Sequence, residues 1–270
     1  MKGDSAMENA SKTAGDEPFQ PTRRIHGEAR TAFTLVELMV VIVIIGLITA
    51  VSIPVIMQAL AKARNAAIKS EIDMLHMAIM NYKNEYGSFP PCAPGTTSPS
   101  LPIKHVTRLF PRCTNQLQQL VIASKGTDGA GNTDGTCRNN FDLEPQTALV
   151  FWLDGYTKNP TSPLIPASAR SALFDFEEGR KQTVANRFTG HYHPTGKSGS
   201  PYIYIDSALY SAFDYAGGAT PGAERVVPFG EFFNKDTFQI ICAGRDETYG
   251  TDDDLSNFWP GTRKEYRDSK

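Results

Sequence analysis

With 270 residues and a formal net charge of −2, the chain carries no charge excess of the kind that binds nucleic acid or coats a lipid surface. Its apolar residues are concentrated in one stretch rather than spread along the chain. No P-loop, nucleophile elbow or zinc spacing occurs, so the sequence offers no catalytic constellation.

Residues 1–32 are rich in Ser, Thr, Glu, Asp, Lys and Gly, and read as a disordered cytoplasmic leader; Met7 offers an alternative start. Arg23, Arg24 and Arg30 against the single acid Glu28 put positive charge just before the apolar stretch. By the positive-inside rule this keeps the N-terminus cytoplasmic and exports the remainder. Residues 38–57 are twenty consecutive positions without a formal charge. At 1.5 Å per residue they extend about 30 Å, the thickness of a bilayer's hydrocarbon core. A secretory signal would have a shorter apolar core with a small-x-small site after it. Here the small residue, Ala32, comes first, so a cut after it leaves the whole apolar helix, residues 33–57, on the mature chain. Glu37 is the one ionisable residue near the head of this helix. A charge in hydrocarbon costs a few kcal/mol, so Glu37 needs either an interfacial position or a partner.

The helical pattern continues past the span, over residues 58–89. Leu60, Ile68, Ile72, Leu75, Ile79, Tyr82 and Tyr86 fall at helical spacings, with Ala63 and Ala67 in the first gap. Lys62, Arg64, Lys69, Glu71, Lys83 and Glu85 are expected on the other faces. One helix is predicted from Phe33 to about Tyr86, kinked or locally melted at Pro54 and with a second weak point at Gly46. Gly87-Ser88-Phe89-Pro90-Pro91 ends it.

Residues 90–270 are long enough for one soluble domain with its own core. The segment after Pro91 is proline-rich with little periodicity; 117–123 and 146–153 read as short helices, and 126–135 as a Gly/Asp/Asn/Thr loop. Tyr202-Ile203-Tyr204-Ile205 and Phe238-Gln239-Ile240-Ile241 read as strands. A long helix first and short strands last predict an α+β subunit, with a small antiparallel sheet against the helix stem. Cys92, Cys113, Cys137 and Cys242 allow two disulfides in any of three connectivities on an oxidising side, or a set of buried free thiols. His191-Tyr192-His193 offers two imidazoles without an evident third ligand, and the adjacent Pro194 and Gly196 suggest a surface turn. Asp175, Glu177 and Glu178 read as an ordinary surface cluster, and 128–134 as a plain turn. In the loop 243–257, Asp246, Glu247, Asp252, Asp253 and Asp254 place five carboxylates within nine residues. Such crowding requires either solvation or a cation, and clustered oxygen ligands favour Ca²⁺, although the spacing is not that of an EF-hand.

Two tracts carry a family resemblance. Phe33-Thr34-Leu35-Val36-Glu37-Leu38-Met39-Val40-Val41-Ile42 closely resembles the signal of type IV pilins and type II secretion pseudopilins. The resemblance implies a pilin-like fold, cutting by a prepilin peptidase between Ala32 and Phe33, and N-methylation of Phe33. It also implies that Glu37 neutralises the new amine of Phe33 on a neighbouring subunit or its own, and that Pro54 marks a site of partial melting in the assembled filament. Ala32 departs from the glycine usual before the cut. Asn84-Glu85-Tyr86-Gly87-Ser88-Phe89-Pro90 resembles the helix-to-loop transition of the major pseudopilin. Ala243-Gly244-Arg245-Asp246, followed by Gly250, Asp252-Asp253-Asp254-Leu255 and Asn257-Phe258-Trp259, resembles that protein's calcium loop. By that match Asp246, Asp252, Asp253 and Asp254 are candidate Ca²⁺ ligands, with the Ala243 carbonyl as another. The implied role is structural, not enzymatic: an inner-membrane subunit that assembles with copies of itself and other pseudopilins on a secretion platform, with no nucleic-acid partner. A type IV pilin or minor pilin is the alternative within the same class. A membrane-tethered extracytoplasmic binding protein or enzyme that borrows the signal is the alternative outside it, and the long stretch from Pro91 to Phe238 leaves room for such a role.

Overall fold

The structure is a computed structural model that describes residues 33–92, 101–113, 115–116, 119–120, 143–184, 188–194, 200–210 and 232–270. The expected leader, Ala32, the loop 126–135 and most of the expected helix 117–123 lie outside the described residues. The chain divides into two compact units, Met1–Ile53 and Pro54–Lys270.

Helix α1, Leu35–Tyr86, contributes to both units. In the first unit, from Phe33 to Ile53, each large apolar side chain of the described residues is at least half exposed. Two hydroxyls in this stretch bond back along the helix: Thr49 to the Ile45 carbonyl at 2.7 Å and Ser52 to the Ile48 carbonyl at 2.8 Å. That leaves no hydroxyl hydrogen unpaired in an apolar surround. Of the kink or local melting expected at Pro54, the single chain shows no break: α1 runs through it as one helix. The missing proline N–H removes one rung of the ladder, but the turns on either side keep theirs.

In the second unit one face of α1 is buried: Ile68, Ile72, Leu75, Ala78, Ile79 and Tyr82. Gly87 closes the helix at φ +79°, a conformation open to glycine, with its N–H on the Lys83 carbonyl at 2.7 Å. After it come α2 (Leu101–Leu109), α3 (Pro145–Leu153), β1 (Lys181–Val184), β2 (Phe188–His191), β3 (Ile203–Asp206), β4 (Phe238–Cys242), β5 (Leu255–Ser256) and α4 (Arg263–Asp268).

The α+β class is as expected, and the sheets are small and antiparallel. β3, β4 and β5 form one sheet in that order, with Tyr204 opposite Ile240 and Cys242 opposite Leu255; β1 and β2 form a hairpin. Tyr202, Ile203, Tyr204 and Ile205 are all buried, so the alternating pattern belongs to a strand covered on both faces. α3 packs on β2 and β3 and is buried almost all round, which is why it reads as continuously apolar. Its Trp152 donates to the Pro91 carbonyl at 2.8 Å, and Tyr204 donates to the Pro90 carbonyl at 2.8 Å. The helix exit at Pro90-Pro91 is thereby tied to both layers.

Two expectations need correction, and of the two alternatives for the cysteines one is found. The proline-rich stretch contains α2, an amphipathic helix whose Pro102 sits in the first turn, where a missing N–H is harmless. Cys92, Cys113 and Cys242 are buried free thiols, so no disulfide forms among the described residues; Cys137 lies outside them. Burial pushes the Cys92 thiol up to about 12, which makes it inert. His191, Tyr192 and His193 are buried rather than on a surface turn, because Phe188–His191 pairs as a strand and β2 lies under α3.

Candidate assembly helix and acidic loop

At the head of α1, Thr34 and Glu37 form a reciprocal cap. The Thr34 N–H and hydroxyl donate to Glu37 Oε2 at 2.8 and 2.9 Å, and the Glu37 N–H donates to the Thr34 hydroxyl at 3.1 Å. This is a capping box, satisfying helix N–H groups that would otherwise have no partner. It fixes the Glu37 carboxylate over the first turn, one residue beyond the Phe33 nitrogen, at the end of the helix where the peptide dipoles favour negative charge. A capping role for Glu37 is legible in the Thr-x-x-Glu spacing, which the interfacial and amine-pairing readings both overlook.

Beyond Pro54 the single stripe expected from sequence separates into two faces. Ile68, Ile72, Leu75 and Ile79 are buried, but Leu60, Ala63 and Ala67 are exposed. Those three belong to a second line with Ser70, Met74 and Met77, all exposed, with Met74 at 52% and Met77 at 65%. Successive steps along 60, 63, 67, 70, 74 and 77 alternate three and four residues. That is the spacing of a helix–helix seam, with small side chains in the middle that let two backbones approach.

Glu71, placed by sequence on a polar face, is only 4% exposed. Its carboxylate accepts two hydrogen bonds from the Arg180 guanidinium, one from Tyr202 at 2.7 Å and one from His191 Nε2 at 3.0 Å. Burial pushes the Glu71 carboxyl up, but the hydrogen bonds from His191, Arg180 and Tyr202 outweigh it and hold it down at about 2. The network ties α1 to the turn before β1, to β2 and to the segment entering β3. Sequence reasoning missed it, although position 71 falls on the line 68, 72, 75, 79 that the buried residues define.

The acidic loop holds its carboxylates on its own backbone. Asp253 Oδ2 accepts the N–H groups of Arg245 and Asp246 at 2.6 and 3.1 Å, Asp246 Oδ1 accepts Thr248 N–H at 2.8 Å, and Asp254 Oδ2 accepts Gly250 N–H at 2.6 Å. The Thr251 hydroxyl lies 2.8 Å from Asp253 Oδ1 and 3.3 Å from Asp254 Oδ1, bridging the two carboxylates. Asp252 pairs with Arg267 of α4 at 2.8 Å, and the Ala243 residue is fully buried. Gly244 has φ +66°, and a Cβ there would lie 2.4 Å from the Asp253 carbonyl oxygen, so only glycine lets the loop close. Among the described residues no three His, Cys, Asp or Glu side chains converge on a point that would hold a metal. Calcium takes six to eight oxygens, carbonyls and hydroxyls among them, so Asp246, Asp252, Asp253, Asp254 and the Ala243 carbonyl remain the candidate ligands that the sequence resemblance implies.

Residues 29–53 match the prokaryotic N-terminal methylation motif. The chain is also similar to the type II secretion system core protein G of Klebsiella michiganensis, at 29% identity over 135 residues, which is 42% of this chain and 94% of that protein. No solved structure matches the chain. A helix long and apolar enough to cross a membrane, exposed over its first half, fits an anchor of the kind such a signal precedes. The chain therefore carries a prepilin-type N-terminal methylation motif on a pilin-like α+β fold and is similar to a type II secretion core protein.

Proposed function

We propose that this protein is a structural subunit of a type II secretion pseudopilus, anchored in the inner membrane with its C-terminal domain on the far side. Prepilin peptidase cuts between Ala32 and Phe33 and methylates the new amine. The subunit then assembles with copies of itself and with other pseudopilins. The observation that carries this is the unpartnered apolar surface of α1. The large apolar side chains of residues 33–57 are exposed all round, and within the second unit Leu60, Ala63, Ala67, Ser70, Met74 and Met77 form an exposed line at coiled-coil spacing. A monomer in water gains nothing from exposing these side chains, whereas lipid before assembly and neighbouring helices after it would cover both.

Glu37 has a place in this cycle. Before the cut it caps its own helix through Thr34. After the cut the Phe33 amine, positive at neutral pH even when methylated, appears next to that carboxylate or is offered to it by a neighbour. Pairing the two relieves the desolvation of both. The experiment is mass spectrometry of membrane-extracted protein for an N-methyl-Phe33 terminus, with cysteine crosslinking between Ala63→Cys and Ala67→Cys subunits. A mature N-methylated chain that crosslinks into ladders is the expected result. An uncut chain that stays monomeric overturns the proposal.

A further inference from the structure

Seven residues beyond Met57, the last residue of the apolar run, α1 presents Arg64 into a pocket of about 380 Å³. Ala61 and Ile68 of α1 form one wall, and Arg245, Asp246 and Asp253 of the acidic loop form the other. We propose that this pocket holds the phosphoethanolamine headgroup of a membrane lipid. The inference rests on reading 38–57 as membrane-spanning and is independent of filament assembly.

The position suits a headgroup. Arg64 lies about 10 Å along the helix axis from Met57, and helical side chains lean toward the helix N-terminus, here toward the span. A guanidinium at that height reaches back into the polar layer, which is several Å deep outside the hydrocarbon core. The volume falls within the range of small-ligand pockets.

The chemistry suits a zwitterion. Arg64 and Arg245 both line the pocket, and neither forms an ion pair among the described residues. Guanidinium groups match a phosphate's oxygens with paired donors. Of the two acids, Asp253 has both oxygens engaged, Oδ2 by backbone N–H groups and Oδ1 by the Thr251 hydroxyl, so it has less to offer a ligand than Asp246. Asp246 uses one oxygen on Thr248 N–H and keeps the other for a donor. A phosphate on the arginines and an ammonium on Asp246 would use all three side chains at once. A choline headgroup lacks the N–H for Asp246, and a glycerol headgroup lacks the charge.

The test uses the full-length protein released from nanodiscs containing equal amounts of phosphatidylethanolamine, phosphatidylglycerol and phosphatidylcholine. Native mass spectrometry reads which lipid stays bound. Retention of phosphatidylethanolamine about tenfold above the other two is expected. The R64Q/R245Q variant should lose that adduct with an unchanged melt, and D246N should retain the ethanolamine and choline lipids equally. Glycerophosphoethanolamine should displace the lipid at concentrations where inorganic phosphate does not. Equal retention of all three lipids by the unmodified protein overturns the proposal. Displacement by inorganic phosphate at the same concentration also overturns it, because the pocket would then be a plain anion site.

Discussion

Glu71 and Asp206 are two carboxylic acids that the fold buries in opposite ways. Glu71 accepts hydrogen bonds from Arg180, Tyr202 and His191, which hold it down at about 2 against a usual 4.5. The unfolded chain takes up its proton first, so the contribution of Glu71 to stability is present above about pH 4.5 and lost as pH falls toward 2. Glu71→Gln should cost about 2–4 kcal/mol at pH 7, because Arg180 loses its counter-charge inside the protein. The loss should shrink on acidification, and urea melts at pH 7 and pH 3 read both effects. Asp206 is pushed up from 3.8 to about 6 by burial, only partly offset by hydrogen bonds from the Ala208 and Ser207 N–H groups and the Ser207 hydroxyl. Here the folded chain keeps a proton that the unfolded chain has released, so stability falls as pH rises from about 4 through 6. Asp206→Asn should flatten that slope. A melting temperature that still drops as steeply between pH 4 and 6.5 would count against the assignment. Neither behaviour was legible in the sequence. Glu71 sits on the buried helical line, but its charge disguised it, and Asp206 ends a strand whose covering layers come from distant parts of the chain.

Helix α1 shows how far periodicity carries and where it stops. Its extent, its glycine stop and its buried residues 68, 72, 75, 79 and 82 follow from spacing alone. The division of its second half into a buried face and an exposed seam does not, because Leu60, Ala63 and Ala67 fit either line and only the position of the sheet decides. The two faces make opposite predictions. Met77→Lys adds a charge to an exposed site and should leave the melt within about 0.5 kcal/mol of the parent, while blocking assembly into crosslinkable ladders. Leu75→Lys, two residues away and fully buried, should unfold the second unit. Similar stability loss in the two variants would mean that the seam is core. The short elements obey the same logic. α3 was legible as an apolar run and α2 was not, since proline in a first turn looks from sequence like a break. The acidic loop was legible as a constellation, but the partner of each carboxylate was not. Asp253 and Asp254 find backbone N–H groups and Thr251 only because Gly244 takes a positive φ.

At the scale of the molecule, the hydrophobic core draws, among the described residues, on none before Ile68. Its members come from the second half of α1, from α2 and α3, from the β3–β4–β5 sheet and from the loops between them. Residues 35–57 of α1 are apolar helix, and none of them belongs to that core. A chain that begins at Gln58 should therefore be soluble without detergent and should melt in one cooperative transition, within a few degrees of the full-length protein in detergent. It keeps Leu60, Ala63, Ala67, Met74 and Met77 exposed, but it lacks Glu37, the Phe33 amine and the span. A seam of six positions, half of them Ala or Ser, is too short and too small to hold helices together in water alone. Sedimentation should accordingly show a monomer at micromolar concentration. If the truncated chain self-associates, the seam suffices for assembly, and the span with its Glu37 cap is only an anchor. If it fails to fold, the boundary at Pro54 does not mark an independent unit, and the exposed first half of α1 has a structural role that the core does not reveal.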